Sequence, residues 1–340
     1  MSRFIFGVSC GQKDLKKEET LKLLRRLGAE WIRTQIAAYP FKNSEKRRIT
    51  EGFYNFKNMI KKIRQKGFKI MLITFLPKDI PGSFDRPRSN EYFNNCENLC
   101  SFIAKQFSSD IQYWQIANEM NLKIFRSPLT IDEAIEFLKA CGKGIKKGNS
   151  SAKIGVNMAD LDKTALYMYK RLYKDGEEIF DYAGIDGYFG SWQPGGPSSW
   201  NPALENLYKL ISKPIIIQEF GYPSKGSVMT DEERSTGIYP CKLKKWWFKW
   251  KEGHTEREQA EYLTAALKIF LSKPYVIGAF YFCWSDREKC WQCGSSDCPV
   301  ETGWGLVDIN GKPKESYYAY QKVISSFKHK DSSITPKKGA

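Results

Sequence analysis

What most restricts the fold is an alternation running the length of the 340 residues: eight short β-rich runs, each followed by a stretch whose apolar side chains recur at helical spacing. The candidate strands cover 4–9, 31–36, 68–75, 111–117, 153–158, 182–189, 214–220 and 275–284. The helical stretches are 18–27, 56–66, 91–106, 131–147, 163–173, 203–211, 256–271 and 313–327. Leu21, Leu24 and Leu27 share one helical face, as do Ala134, Phe137, Leu138 and Cys141. The strands are unbroken apolar runs, such as Ile70-Met71-Leu72-Ile73 and Ile215-Ile216-Ile217. A parallel sheet covered on both faces needs that composition, because neither side meets water. Eight β/α units in a chain somewhat above the usual ~250 residues predict a single α/β domain, a (β/α)8 TIM barrel. A doubly wound sheet would carry GxGxxG after its first strand; here Gly142-Lys143-Gly144 closes a helix instead and reads as a C-cap. The barrel is expected over 1–327, with 328–340 a polar, lysine-rich C-terminal tail.

Composition removes whole classes of chemistry. Only His254 and His329 are present, both in polar, lysine-rich settings, so His-based zinc clusters and most Ser-His-Asp or Cys-His catalysis are excluded. Carboxylates or thiols must carry any reaction. The 41% hydrophobic and 27% charged fractions are those of a globular protein. No apolar run approaches the ~18 residues of a membrane span. No signal segment precedes the first strand, so the chain as it stands is expected in the cytoplasm, and outside the cell if a signal has been trimmed away.

The net charge of +16 comes from 54 Lys+Arg against 38 Asp+Glu, spread along the chain and read as a solvated face. Nine cysteines cannot all pair within one chain. Cys290, Cys293 and Cys298 cluster and Cys96 lies four from Cys100, but zinc would need a fourth ligand near the trio and no histidine supplies one. A disulfide or free buried thiols are expected there, with no metal or organic cofactor.

In such a barrel the chemistry sits where strands end and βα loops begin. The loops after strands six, seven and eight are long and hold Trp192, Trp200, Trp246, Trp247, Trp250, Trp291 and Trp304. Tryptophans in loops at one barrel face suit platforms that stack on sugar or base faces. Strand four ends Gln115-Ile116-Ala117-Asn118-Glu119, and strand seven ends Ile217-Gln218-Glu219-Phe220. Each puts a glutamate where an apolar run meets the barrel mouth, a costly position unless the charge has partners or a function.

Asn118-Glu119 ending strand four and Glu219 ending strand seven resemble clan A of the glycoside hydrolases, retaining enzymes on (β/α)8 barrels. Trp31-Ile32-Arg33 resembles the clan's arginine beside the nucleophile, Asp186-Gly187-Tyr188 the place of its tyrosine, and Phe282-Cys283-Trp284 its tryptophan platform. The closing Trp304-Gly305-Leu306-Val307-Asp308 is similar to the end of such chains. The active-site histidines usual in family 5 are missing, whereas the run from Glu219 to Ser224 is similar to galactanase and β-glucanase families.

The resemblance implies a retaining β-glycoside hydrolase, with Glu219 as nucleophile and Glu119 as acid and base, and with carboxyls ~5–5.5 Å apart. It further implies that Arg33 and Tyr188 steady Glu219, that Asn118 bonds the sugar 2-hydroxyl and that Trp284 floors the subsite. Trp192 and Asn157 are further candidates for substrate contact. The partner is then a carbohydrate, cut within its chain if the loops leave an open cleft. Transglycosylation is a close variant. A non-catalytic binder of acidic polysaccharide or single-stranded nucleic acid is the competing expectation, and nucleic acid the lesser of the two. It rests on the interleaved Lys242-Leu243-Lys244-Lys245-Trp246-Trp247.

Overall fold

All eight apolar runs form strands: β1 Ile5–Ser9, β2 Trp31–Gln35, β3 Lys69–Ile73, β4 Tyr113–Gln115, β5 Lys153–Ala159, β6 Tyr182–Gly187, β7 Ile215–Phe220 and β8 Val276–Tyr281. They are seen in a computed structural model that describes residues 4–36, 38–41, 48–85, 88–175 and 178–334, with side chains up to 329. The strands pair in chain order, all parallel, and β8 returns to β1, so the sheet is a closed barrel. The TIM-barrel expectation holds.

The main outer helices are α1 Glu18–Leu27, α2 Glu51–Gln65, α3 Asn90–Gln106, α4 Ile131–Gly148, α5 Lys163–Tyr173, α6 Trp200–Ile211, α7 Glu256–Ser272 and α8 Glu315–Ile334. Helix α2 begins earlier than its apolar spacing indicates because the Thr50 hydroxyl accepts the Phe53 amide at 3.3 Å and caps it there. Helix α8 runs past Phe327, so the first part of the expected tail, to Ile334, is helical, and 335–340 lie outside the described residues. Among the described residues no helix is long and apolar enough to cross a membrane.

Ile5, Trp31, Met71, Tyr182, Ile216 and Phe280 fill the barrel interior. Outward residues such as Ile32, Leu72, Ile215 and Ile217 join the helices in the main core. Gly7 makes room for the interior: a Cβ there would stand 2.2 Å from the Phe280 ring. Above this apolar layer the Tyr182 hydroxyl donates to the Trp114 carbonyl (2.8 Å) and accepts from Gln218 Nε2 (3.1 Å).

Two sequence readings need correction. Gly142 and Gly144 lie inside α4 and are not its C-cap. A Cβ on Gly144 would meet the Glu97 carbonyl oxygen at 2.2 Å and Cys100 Cβ at 2.8 Å, so the glycine lets α4 pack its backbone against α3. In an open helix Gly→Ala gains about 1 kcal/mol. For Gly144→Ala the sign reverses, and overpacking costs about 1–3 kcal/mol. Urea denaturation checks this: the midpoint falls, and an unchanged or higher midpoint contradicts the close approach. The second correction concerns the cysteine trio. Its fourth neighbour exists, and it is Cys241, from the loop after β7.

Candidate active site

The end of β4 is bent sharply. Ala117 (φ 53°) and Glu119 (φ 43°) adopt left-handed backbone, each at a cost on the order of 1 kcal/mol or more. Neighbouring strands hold them there. The Ala117 amide donates to Thr74 Oγ1 (2.9 Å), the Ala117 carbonyl accepts from Gln115 Nε2 (2.8 Å), and the Glu119 amide donates to Asn157 Oδ1 (3.1 Å). The bend brings Asn118 and Glu119 together to the barrel mouth.

On β7 the device is a bulge. Ile217 pairs with Ile185 but Glu219 pairs with Asp186, so Gln218 is the extra residue. Strict alternation would send Gln218 and Glu219 to opposite faces; the bulge resets it, and Gln218 bonds inside the barrel while Glu219 reaches the mouth.

Arg33 ties these ends together. Its Nη1 meets Glu219 Oε1 at 2.7 Å and Ser9 Oγ at 3.1 Å, Nη2 meets Asn118 Oδ1 at 2.9 Å, and Nε meets Gln115 Oε1 at 2.7 Å. Burial alone would lower the Arg33 pKa, but Glu219 and Asp186 outweigh it and raise it. The Tyr188 hydroxyl donates to the other Glu219 oxygen. Asn118 Oδ1 accepts from Arg33, Gln115 Nε2 and Asn157 Nδ2, so Asn118 has its amide hydrogens to offer a ligand.

Glu119, Asp186 and Glu219 each present an oxygen within 4.8 Å of the others. Three buried carboxyls thus crowd together, and of the three Glu219 alone bonds the Arg33 guanidinium. Burial first, then the Glu219 charge, push Glu119 up to about 8. The same two causes, with Glu119 added, hold Asp186 well above the carboxylate range. Glu119 therefore keeps a proton near neutrality while Glu219 ion-pairs with Arg33. The trio also has the spacing of metal ligands, but the fixed positive charge of Arg33 against Glu219 opposes a cation there.

Of the other expected residues, Tyr188 and Trp192 line a cavity of about 550 Å³ together with Asn118, Glu119, Glu219, Tyr239, Trp247, Phe282, Trp291, Glu301 and Trp304. A second cavity of about 350 Å³ is lined by Ser9, Gln12, Arg33, Gln35, Asn118, Phe125, Glu219 and Phe282. The two share Asn118, Phe125, Glu219, Phe282 and Arg287, so one trough passes over Glu219 and continues on both sides.

Two expected substrate contacts sit elsewhere. Asn157 is fully buried behind the site, its side chain spent on Gln115, the Glu119 amide, Asn118 and Asp186, so it can position but not touch a sugar. Trp284 is buried edge-on against Tyr317 of α8. Beyond β8 the Trp284 amide bonds the Ser9 carbonyl (2.9 Å), which carries the ring into the core and leaves Phe282 facing the trough.

The loop tryptophans divide. Trp200 and Trp246 are core, while Trp192, Trp247 and Trp291 line the larger cavity and Trp304 forms its wall. The lysine–tryptophan run is no open platform either: Trp246 is buried, Lys244 pairs with Asp297, and Lys245 pairs with Glu233. Glu301 went unnoticed in sequence because no motif surrounds it. It is buried at the trough rim with φ 69°, accepting Trp192 Nε1 and Gln292 Nε2, each at 3.1 Å.

Comparison with known proteins relates the chain to glycoside hydrolases. The sequence model of Glycosyl hydrolase family 53 matches residues 88–296. A β-xylosidase of Caldicellulosiruptor saccharolyticus is 22% identical over 92% of the chain and 66% of its own length. A family 39 glycoside hydrolase of Bacteroides cellulosilyticus WH2 superposes with a TM-score of 0.65 at 18% identity, over 95% of this chain and 64% of that one. The family 1 β-glucosidase of Thermotoga maritima gives 0.68 at 12% identity, over 96% and 98%. At these identities the structural likeness is one of fold. The chain spans about two thirds of the length of the xylosidase and of the family 39 enzyme.

Proposed function

The chain belongs to glycosyl hydrolase family 53, and from that membership we propose a retaining β-glycosidase that cuts a β-linked poly- or oligosaccharide within its chain. The observation that carries this reading is the carboxyl pair: oxygens of Glu119 and Glu219 lie within 4.8 Å of each other. Retaining enzymes hold their carboxyls ~5–5.5 Å apart, whereas inverting ones need ~6.5–9.5 Å to admit a water between acid and base.

Glu219, oriented by Arg33 and Tyr188, attacks the anomeric carbon while protonated Glu119 gives its proton to the leaving oxygen. Water, deprotonated by Glu119, then displaces Glu219 from the sugar. Asn118 donates to the sugar 2-hydroxyl, and Phe282 floors the sugar that becomes attached. Trp192, Tyr239, Trp247 and Trp291 supply ring faces along one arm of the trough. The trough's extension to both sides of Glu219 supports internal cleavage. Its ionisable lining is mostly acidic, with Asp160, Asp162 and Glu301 beside the pair and Arg33 and Arg287 as cations, so a neutral glycan suits it better than a uronic-acid polymer.

The test is a screen of aryl β-glycosides with proton NMR of the first-formed anomer, followed by product-length analysis on β-galactan and β-glucan. Expected are the β-anomer first and a mixture of lengths at early times. An α-anomer first overturns retention, and release of a single monosaccharide overturns internal cleavage.

A further inference from the structure

We propose that Cys241, Cys290, Cys293 and Cys298 form a structural zinc site that clamps the loop after β7 to the loop after β8. The four sulfurs all lie within 4.8 Å of one another, and Cys241 and Cys290 are 3.7 Å apart. A Zn–S bond of ~2.3 Å in tetrahedral geometry sets sulfurs ~3.8 Å apart, whereas a disulfide would bring them to ~2.05 Å. Four thiols converging from two loops, with no disulfide among the described cysteines, have the donor set and geometry of a closed Cys₄ centre.

The local backbone fits that role. Cys290 and Cys293 are separated by two residues, and the turn after them is left-handed at Gly294 (φ 76°). There the Gly294 amide bonds the Cys290 carbonyl (2.8 Å), the Cys290 amide bonds the Ser295 carbonyl (3.0 Å), and the Ser295 amide reaches the Cys293 sulfur. This turn points both sulfurs to one side. Cys241 arrives on the short helix Pro240–Leu243, far away in sequence. Binding releases the four thiol protons to solvent and leaves a ZnS₄ unit of net charge −2, which Lys244, close enough to feel Cys298 and Cys293, partly offsets. The clamp sits behind the trough rim: Tyr239 flanks Cys241, and Trp291 and Gln292 lie between Cys290 and Cys293. The ion would set the distance between those walls without touching the reacting atoms. The inference stands whether or not the glycosidase reading does.

The experiment is elemental analysis of the full-length protein purified without chelator, with cobalt substitution as the second measurement. Expected are one zinc per chain, and in the cobalt form an intense thiolate-to-cobalt band in the near ultraviolet with red absorption of tetrahedral cobalt. Cys241→Ser and Cys290→Ser lose the zinc, while Cys96→Ala, outside the cluster, keeps it. Chelation exposes four further reactive thiols and raises KM more than it lowers kcat. Absence of zinc with these thiols oxidised to disulfides overturns the proposal, as does bound iron in place of zinc. The zinc count and cobalt spectrum use unaltered protein, so a variant that fails to fold does not blunt the test.

Discussion

Replacing Glu219 by alanine lowers β-glycoside turnover by roughly 10⁴-fold or more, the scale seen when a covalent nucleophile is removed. No neighbour can substitute for it. Glu219 is the one carboxylate among the hydrogen-bond partners of Arg33, so neither Glu119 nor Asp186 is held in its place. The measurement is steady-state hydrolysis of a p-nitrophenyl β-glycoside beside circular dichroism of the variant. Azide added to the alanine variant occupies the vacated space and forms the α-glycosyl azide. Because the change strands a buried guanidinium, a loss of about 3–5 kcal/mol in stability accompanies it. Glu219→Gln keeps the shape and serves as the folded control. Wild-type turnover in either variant refutes the nucleophile assignment.

Glu119→Ala has a different signature. Natural glycans need a proton on the leaving oxygen, and their hydrolysis falls by about 10²–10⁴-fold. A 2,4-dinitrophenyl glycoside needs none, so its first step survives, and azide speeds turnover by yielding the β-glycosyl azide. The pH profile follows from the same residue. With Glu119 pushed up to about 8, activity on glycans declines as pH rises through that value, and the decline vanishes for the activated substrate in the variant. Stability moves in the same direction. The folded-state pKa lies above the unfolded value, so the native state holds the extra proton, and the benefit is lost as pH rises from the ordinary carboxylate range through about 8. Thermal melts across pH 6 to 9 should slope downward for the native protein and less steeply in Glu119→Gln, where Asp186 keeps its own share of the slope. Equal loss on both substrate types contradicts the acid assignment.

The barrel was legible because strand and helix periods are local signals, repeated in register with the β/α unit. Glu119 and Glu219 were legible for a related reason: a charge closing an apolar run is anomalous in any window that contains it. What escaped depends on contacts that no window contains. Trp284 and Phe282 differ only in where the chain turns after β8, which the Ser9 carbonyl decides. Asn157 looked like a strand-end polar group able to reach outward, yet the Gln115 side chain and the Glu119 amide hold it inward. Lys244 and Lys245 read as a basic face until Asp297 and Glu233 arrive from other parts of the chain. Cys241 was invisible as a partner of the trio for the same reason, since spacing cannot report a meeting between two loops.

One guanidinium bonded to Glu219, with two further carboxyls crowded beside it, gives the pocket capacity for a single compensated negative charge. On the proposed mechanism, once Glu219 becomes an ester that capacity is vacant, and the proton on Glu119 loses the repulsion that helped keep it there. The group proposed to act as acid would thereby be released to act as base at the moment water must be activated. The two half-reactions would then be timed by charge occupancy, with no moving part required.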